Sequence, residues 1–108
     1  MKLYISTPIN ARQEKTFPEK LRAAKHRVEL LKEIIHDDSR FDQFDCIAHT
    51  NFDAPVMSEA AAMGICVRSV LESDAIYLDN GWQASKGCNL EYRAAKIYGK
   101  IIYEHDKL

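Results

Sequence analysis

The sequence is short of charge of either sign in excess: its 108 residues carry 15 Lys+Arg against 16 Asp+Glu, a formal net charge of −1. That balance excludes the broad basic surface that grips nucleic-acid phosphates, so duplex nucleic acid is not an expected partner. No apolar run approaches the roughly 20 residues of a membrane span. Leu3-Tyr4-Ile5 is too short for the apolar region of a signal peptide, so no membrane is expected and the cytoplasm is the expected location. Cysteine is scarce and odd in number: Cys46, Cys66 and Cys88 form no CxxC or CxxH pair, which argues against a zinc site and a disulfide framework. Glycine occurs only four times, and no Walker loop, GxGxxG or HExxH is present. P-loop phosphoryl transfer, dinucleotide dehydrogenation and zincin chemistry are therefore unsupported, and no metal or other cofactor is expected. There is no internal repeat and no linker. What remains is 46% hydrophobic content, enough for one core in one domain over residues 1–108.

The apolar residues that are present fall into alternating patterns. Lys2-Leu3-Tyr4-Ile5-Ser6 reads as a buried strand that stops at Thr7-Pro8. The polar segment through Asn10, Arg12 and Lys15 reads as a functional loop. Thr16 with Glu19 makes a capping box with Pro18 in the first turn. From there Phe17, Leu21, Ala24, Val28, Leu31 and Ile35 recur at helical spacing until the turn formers His36 to Ser39. After a connector holding Phe41 and Phe44, Asp45 to His49 reads as a second strand, and an Ala-rich helix runs from Ser58-Glu59 to Leu71. Asp74 to Leu78 is the third strand, and Asp79-Asn80-Gly81-Trp82 breaks it. Ser85 to Tyr98 is the third helix, with Leu90, Ala94, Ile97 and Tyr98 expected to face inward and Gly99 as its stop. Lys100 to Tyr103 is the fourth strand.

Strands alternating with helices predict an α/β fold, flavodoxin-like or Rossmann-like, with three layers and a four-stranded parallel sheet of order 2-1-3-4. That order puts the first helix on one face and the other two on the opposite face. It leaves sheet area bare, and the expectation is that a second copy covers it in a homo-oligomer.

Ligands of such sheets bind at the carboxyl ends of the strands, where three loops converge: 7–15, 49–57 and 79–91. The third is the richest in chemistry. Ser85 and Gly87 stand at a helix N-terminus, where unpaired N–H groups attract anions such as phosphate; a cap and an easy turn account for them equally. Glu91 lies one turn further in, where its carboxylate can meet a ligand whose anionic end rests on that turn, or can simply favour the helix dipole. Trp82 and Tyr77 offer either base stacking or packing, and packing is preferred. Cys88 has no neighbouring His or Cys in sequence and reads as inert.

Two stretches carry a family resemblance. Leu3-Tyr4-Ile5-Ser6-Thr7-Pro8-Ile9 looks like an opening strand ending in a small-residue-Pro turn. The run from Asp74 to Glu91 places a strand, a Gly81-Trp82 turn, Ser85-Lys86-Gly87 and Glu91 in order. Together they resemble the nucleoside 2-deoxyribosyltransferase and deoxynucleoside-5′-monophosphate N-glycosidase superfamily, most closely its small DUF4406 branch. The resemblance covers most of the chain, although residues 36–66 match by position only. It implies that Glu91 is a nucleophile that attacks the anomeric carbon of a deoxyribose and displaces the base. A carboxylate suits an oxocarbenium-like transition state and can collapse onto it as a covalent intermediate. It also implies that Ser85 and Gly87 hold a 5′-phosphate and that Tyr4 lies near the sugar, with Ser6, Pro8, Gly81 and Trp82 as further candidate substrate contacts; Arg12 reads either as a phosphate contact or as a solvated loop charge. The family's second acid, eight residues before Asp74, is here Cys66, a thiol that stays neutral unless activated. Asp79 is the favoured stand-in, with Asp53 as another, although either serves equally as a turn or cap residue, and His49 is a candidate contact to the base, with a satisfied structural histidine as the preferred reading. The expected function is an N-glycosidase or 2-deoxyribosyltransferase acting on deoxynucleosides or their 5′-monophosphates; the alternative is a catalytically impaired nucleotide-binding module of the same fold.

Overall fold

A computed structural model describes residues 1–8, 17–48 and 59–105. Four strands, β1 (Lys2–Ser6), β2 (Asp45–Ile47), β3 (Ala75–Leu78) and β4 (Ile101–Glu104), alternate with helices α1 (Phe17–His36), α2 (Glu59–Leu71) and α3 (Lys86–Ile97). The sheet is parallel throughout in the order β2-β1-β3-β4. The fold is the expected three-layer, flavodoxin-like α/β arrangement. Strand β2 is shorter than the sequence suggests, ending at Ile47. Residues 9–16 and 49–58, which contain the capping Thr16, lie outside the described residues.

β1 and β3 are apolar at nearly every position because both faces of a central parallel strand are buried. Leu3, Ile5, Ala75 and Tyr77 point to one face, where Val28, Leu31 and Ile35 of α1 cover them. Tyr4, Ile76 and Leu78 point to the other, under Cys66 and Val70 of α2 and Ala95 of α3. The distribution of helices over the two faces is as expected.

Two expectations about packing need correction. The face that α1 cannot span is not left bare. The connector before β2, with a short 3-10 helix at Ser39–Phe41, lays Phe41 edge-on against Tyr77 and Tyr103 at centroid distances of 5.8 and 4.9 Å, and Phe44 joins the same core cluster. The phase of α3 is also different. Its buried residues are Cys88, Glu91 and Ala95, whereas Leu90, Ile97 and Tyr98 are exposed. Ala94 packs half-buried against the core as expected, while the other three face out because the inward face must fit beneath α2. At Gly87 an added Cβ would stand 3.3 Å from the Met63 sulfur, so this close approach fixes which side of α3 turns toward its neighbour.

Candidate active site at the carboxyl end of the sheet

Glu91 is the centre of the site. Its side chain is drawn inward by the phase of α3 and retains only 6% of its exposure, at the level where β1 ends in Ser6. The Ser6 hydroxyl donates to Oε1 over 3.5 Å, and the Tyr4 hydroxyl is a hydrogen-bonding neighbour of both the Glu91 carboxylate and the Cys66 thiol. Oε2 is buried and has no hydrogen-bond partner among the described residues. Buried carboxylate oxygens are rarely left so, because an unsatisfied one costs on the order of 1–3 kcal/mol. Burial pushes the Glu91 carboxyl up to about 7, with the hydrogen bonds from Tyr4 and Ser6 pulling against it. The group is thus poised between acid and anion near neutral pH, as groups that handle protons or form covalent intermediates are.

The phenol and thiols beside Glu91 are neutral at pH 7. Burial pushes the Cys66 thiol up to about 11 against a hydrogen bond from Tyr4. Burial also raises Cys88 and Tyr4 above their ordinary values. Cys88 is 1% exposed, in keeping with its inert reading.

The turn before α3 is built for rigidity. Gly81 adopts φ of 82°, open to glycine at no steric cost, and packs beside Pro8, whose Cγ lies 3.9 Å from an added Cβ. Ser85 caps α3, accepting from the Cys88 N–H at 3.2 Å. The Asn89 amide donates to the carbonyls of Gln83 and Ser85 at 2.9 and 2.8 Å, pinning the turn from inside the helix. Trp82 donates from Nε1 to Glu104 at 3.0 Å and lies against Tyr92 with centroids 4.7 Å apart, which is a packing role. Ser85 and Gly87 each have a structural task, the cap and the approach to Met63, at the helix end where an anion would also be favoured.

Asp79 stands at the end of β3 within a set of donors. Arg27 of α1 grips it through two hydrogen bonds of 2.9 and 2.8 Å, Thr7 donates at 2.7 Å, and the Asn80 N–H donates at 2.8 Å. Burial alone raises its pKa, but those donors outweigh it and hold the carboxyl below its ordinary value. Such a carboxylate is an anion at neutral pH that accepts hydrogen bonds on both oxygens, and it ties α1 to the end of β3.

Residues 1–104 match the family described as Domain of unknown function (DUF4406). The chain belongs to this family. No curated protein and no solved structure matches it.

Of the site residues expected from sequence, this DUF4406 domain brings Glu91, Tyr4 and Ser6 into contact. Pro8, Gly81, Trp82, Ser85 and Gly87 form the turn beside them. Arg12, His49 and Asp53 lie outside the described residues. Tyr77 belongs to the opposite face, its hydroxyl 2.6 Å from Nδ1 of His105. Among the described residues no group of three or more His, Cys, Asp and Glu side chains is arranged to hold a metal, and no helix is long and apolar enough to cross a membrane. Sequence reasoning missed Arg27, Asn89 and Glu104. Asn89 three residues after the first helical position is the one with a legible signal, since an amide there can reach back to the preceding turn.

Proposed function

We propose that the protein is an N-glycosidase or 2-deoxyribosyltransferase that acts on deoxynucleosides or their 5′-monophosphates through a covalent glycosyl-Glu91 intermediate. The observation that carries this reading is the buried Oε2 of Glu91, which has no partner among the described residues and lies on a carboxylate flanked by two hydroxyl groups. It is supported by the likeness of the Asp74 to Glu91 run to that superfamily. Attack of Oε2 on the anomeric carbon breaks the bond to the base nitrogen. The bonding pair leaves with the base, which takes a proton from water or an acid, and water or a second base then displaces Glu91. Ser6 and Tyr4 hold the other face of the carboxylate, so one oxygen is oriented and the other is left to react. The positive end of α3 favours a substrate phosphate at Ser85 and Gly87.

Cys66 favours a second reading, a nucleotide-binding module without turnover, because a neutral thiol contacts Tyr4 where the related enzymes carry an acid. One experiment separates the two. The protein is incubated with a panel of deoxynucleosides and deoxynucleotides, and free base is followed by chromatography for wild type, Glu91→Ala and Cys66→Asp. Release by wild type that is lost in Glu91→Ala supports catalysis. Release seen only in Cys66→Asp supports the binding module. Base release equal in wild type and Glu91→Ala, or absent from all three with no nucleotide raising the melting temperature, removes both.

A further inference from the structure

The carboxyl ends of β1 and β3 are joined beyond their strand pairing. The Asp79 N–H donates to the Ser6 carbonyl at 2.9 Å, which carries the ladder one step past the Ser6 to Leu78 pair. The Thr7 hydroxyl donates to Oδ2 of Asp79 at 2.7 Å, and Pro8 packs beside Gly81. The Asp79 carboxylate stands at the centre of this junction with its side chain 4% exposed, and a charge so enclosed persists only with a counter-charge and hydrogen bonds. Arg27 supplies both. Its Nε donates to Oδ2 at 2.9 Å and a terminal nitrogen to Oδ1 at 2.8 Å, a two-pronged grip that fixes the plane of a carboxylate as well as its charge. Oδ2, the oxygen that Thr7 holds, is thereby fixed in direction.

Arg27 belongs to α1, whose Val28, Leu31 and Ile35 cover one face of the sheet. The helix that carries Glu91, α3, packs through Ala95 on the other face. A path of contacts crosses the end of the sheet between them, from Arg27 to Asp79, to Thr7, to its neighbour Ser6 and from the Ser6 hydroxyl to Oε1 of Glu91 at 3.5 Å. We propose that Arg27 is a positioning residue for Glu91: by fixing the Asp79 carboxylate it holds Thr7, and through Thr7 it keeps the Ser6 hydroxyl on Oε1 and leaves Oε2 to face the substrate. This rests on the reading of Glu91 as the nucleophile. The titratable groups beside Glu91 are Tyr4 of β1, Cys66 of α2 and Cys88 of α3, with Asp79 at the end of β3 near Cys88. Burial, Tyr4 and Ser6 set the Glu91 carboxyl, so a clamp whose two charges oppose each other acts on it through Ser6.

Carbon-13 NMR of labelled glutamate in the whole chain tests this, with Glu91→Gln identifying the signal. The Glu91 midpoint is read in wild type, Ser6→Ala, Arg27→Met and Thr7→Val, and in Arg27→Met and Thr7→Val each combined with Ser6→Ala; circular dichroism checks that each is folded. Loss of the Ser6 donor is expected to raise the midpoint by about half a unit, a modest shift because the bond is long. Arg27→Met and Thr7→Val are each expected to reproduce that rise and to add nothing once residue 6 is alanine. A charge acting through space would still raise the midpoint in the alanine background, since losing a cation disfavours any nearby carboxylate. Thr7→Val leaves the Arg27 to Asp79 ion pair in place, so the path is tested even where Arg27→Met does not fold. Three results overturn the proposal: a midpoint unmoved in Ser6→Ala, one unmoved in Thr7→Val or in a folded but less stable Arg27→Met, or shifts that survive when residue 6 is alanine. The midpoint is read whether or not base is released, so failure of the glycosyl chemistry shows in the chromatographic assay, and failure of the positioning role shows here.

Discussion

Glu91 is held between two opposing influences, and the balance assigns Tyr4 a measurable role. Burial raises the carboxyl to about 7, while the hydroxyls of Tyr4 and Ser6 stabilise the anion. In Tyr4→Phe the ring that fills the core beneath α2 is kept and the donor is lost. The Glu91 midpoint should therefore move further up, by about one to two units, since a hydrogen bond to a charged group is worth about 1.5–3 kcal/mol and one unit is about 1.4 kcal/mol. Carbon-13 NMR of labelled glutamate through a pH titration reads this directly; an unmoved midpoint would mean that Tyr4 does not support the anion. The position of Glu91 near the strand ends was legible in the sequence, because it lies one turn into the last helix, but the inward turn of its carboxylate was not, because periodicity favoured the stripe through Leu90, Ala94, Ile97 and Tyr98. Nor was the engagement of Asp79. Its main partner, Arg27, is 52 residues away on another element, and no local pattern records such a pair.

At the scale of elements, sequence pattern located the four strands and three α-helices, but it overran the end of β2, missed the short 3-10 helices and did not give the phase of α3. Leu90, Ala94, Ile97 and Tyr98 make a helical stripe as regular as the truly buried Cys88, Glu91 and Ala95, and far more apolar. Burial followed the smaller set because α2 approaches α3 closely at Met63 and Gly87. That contact makes Gly87 a packing residue, with a testable signature. Alanine has a higher helix propensity than glycine by up to about 1 kcal/mol. In the wild-type background this gain is offset by the new methyl meeting the Met63 sulfur at 3.3 Å. In a Met63→Ala background the clash is gone. Urea unfolding of the four proteins of this double-mutant cycle should show Gly87→Ala more favourable by about 1 kcal/mol when residue 63 is alanine. Additive effects would mean that the methyl meets no resistance and that Gly87 is there for another reason.

For the molecule as a whole, topology followed from chain order, while the cover supplied by Phe41 and Phe44 escaped notice because an irregular connector has no period to read. The same global view joins the two buried carboxylates at the strand ends, whose effects on stability have opposite signs. Asp79 has its folded pKa lowered, so it adds stability above the unfolded value and that stability is lost as pH falls through the folded one. Glu91 has its folded pKa raised from 4.5 to about 7. Over that interval the unfolded chain has released a proton that the folded chain keeps, so fewer protons are bound on unfolding and stability falls as pH rises. The shift corresponds to a loss on the order of 3 kcal/mol, a large part of the 5–15 kcal/mol typical of a domain. The wild-type optimum should therefore sit on the acid side of neutrality. Glu91→Gln keeps the size of the side chain and removes the titration. Relative to wild type it should gain stability steadily between about pH 4.5 and 7 and hold that advantage above it, as read from urea midpoints at matched salt. If the two profiles run parallel through that window, Glu91 is not the buried, weakly acidic carboxyl on which the proposed chemistry depends. If they separate, the chain retains at its centre a group that weakens its own fold at neutral pH, and a binding or catalytic role is the physical reason to keep it.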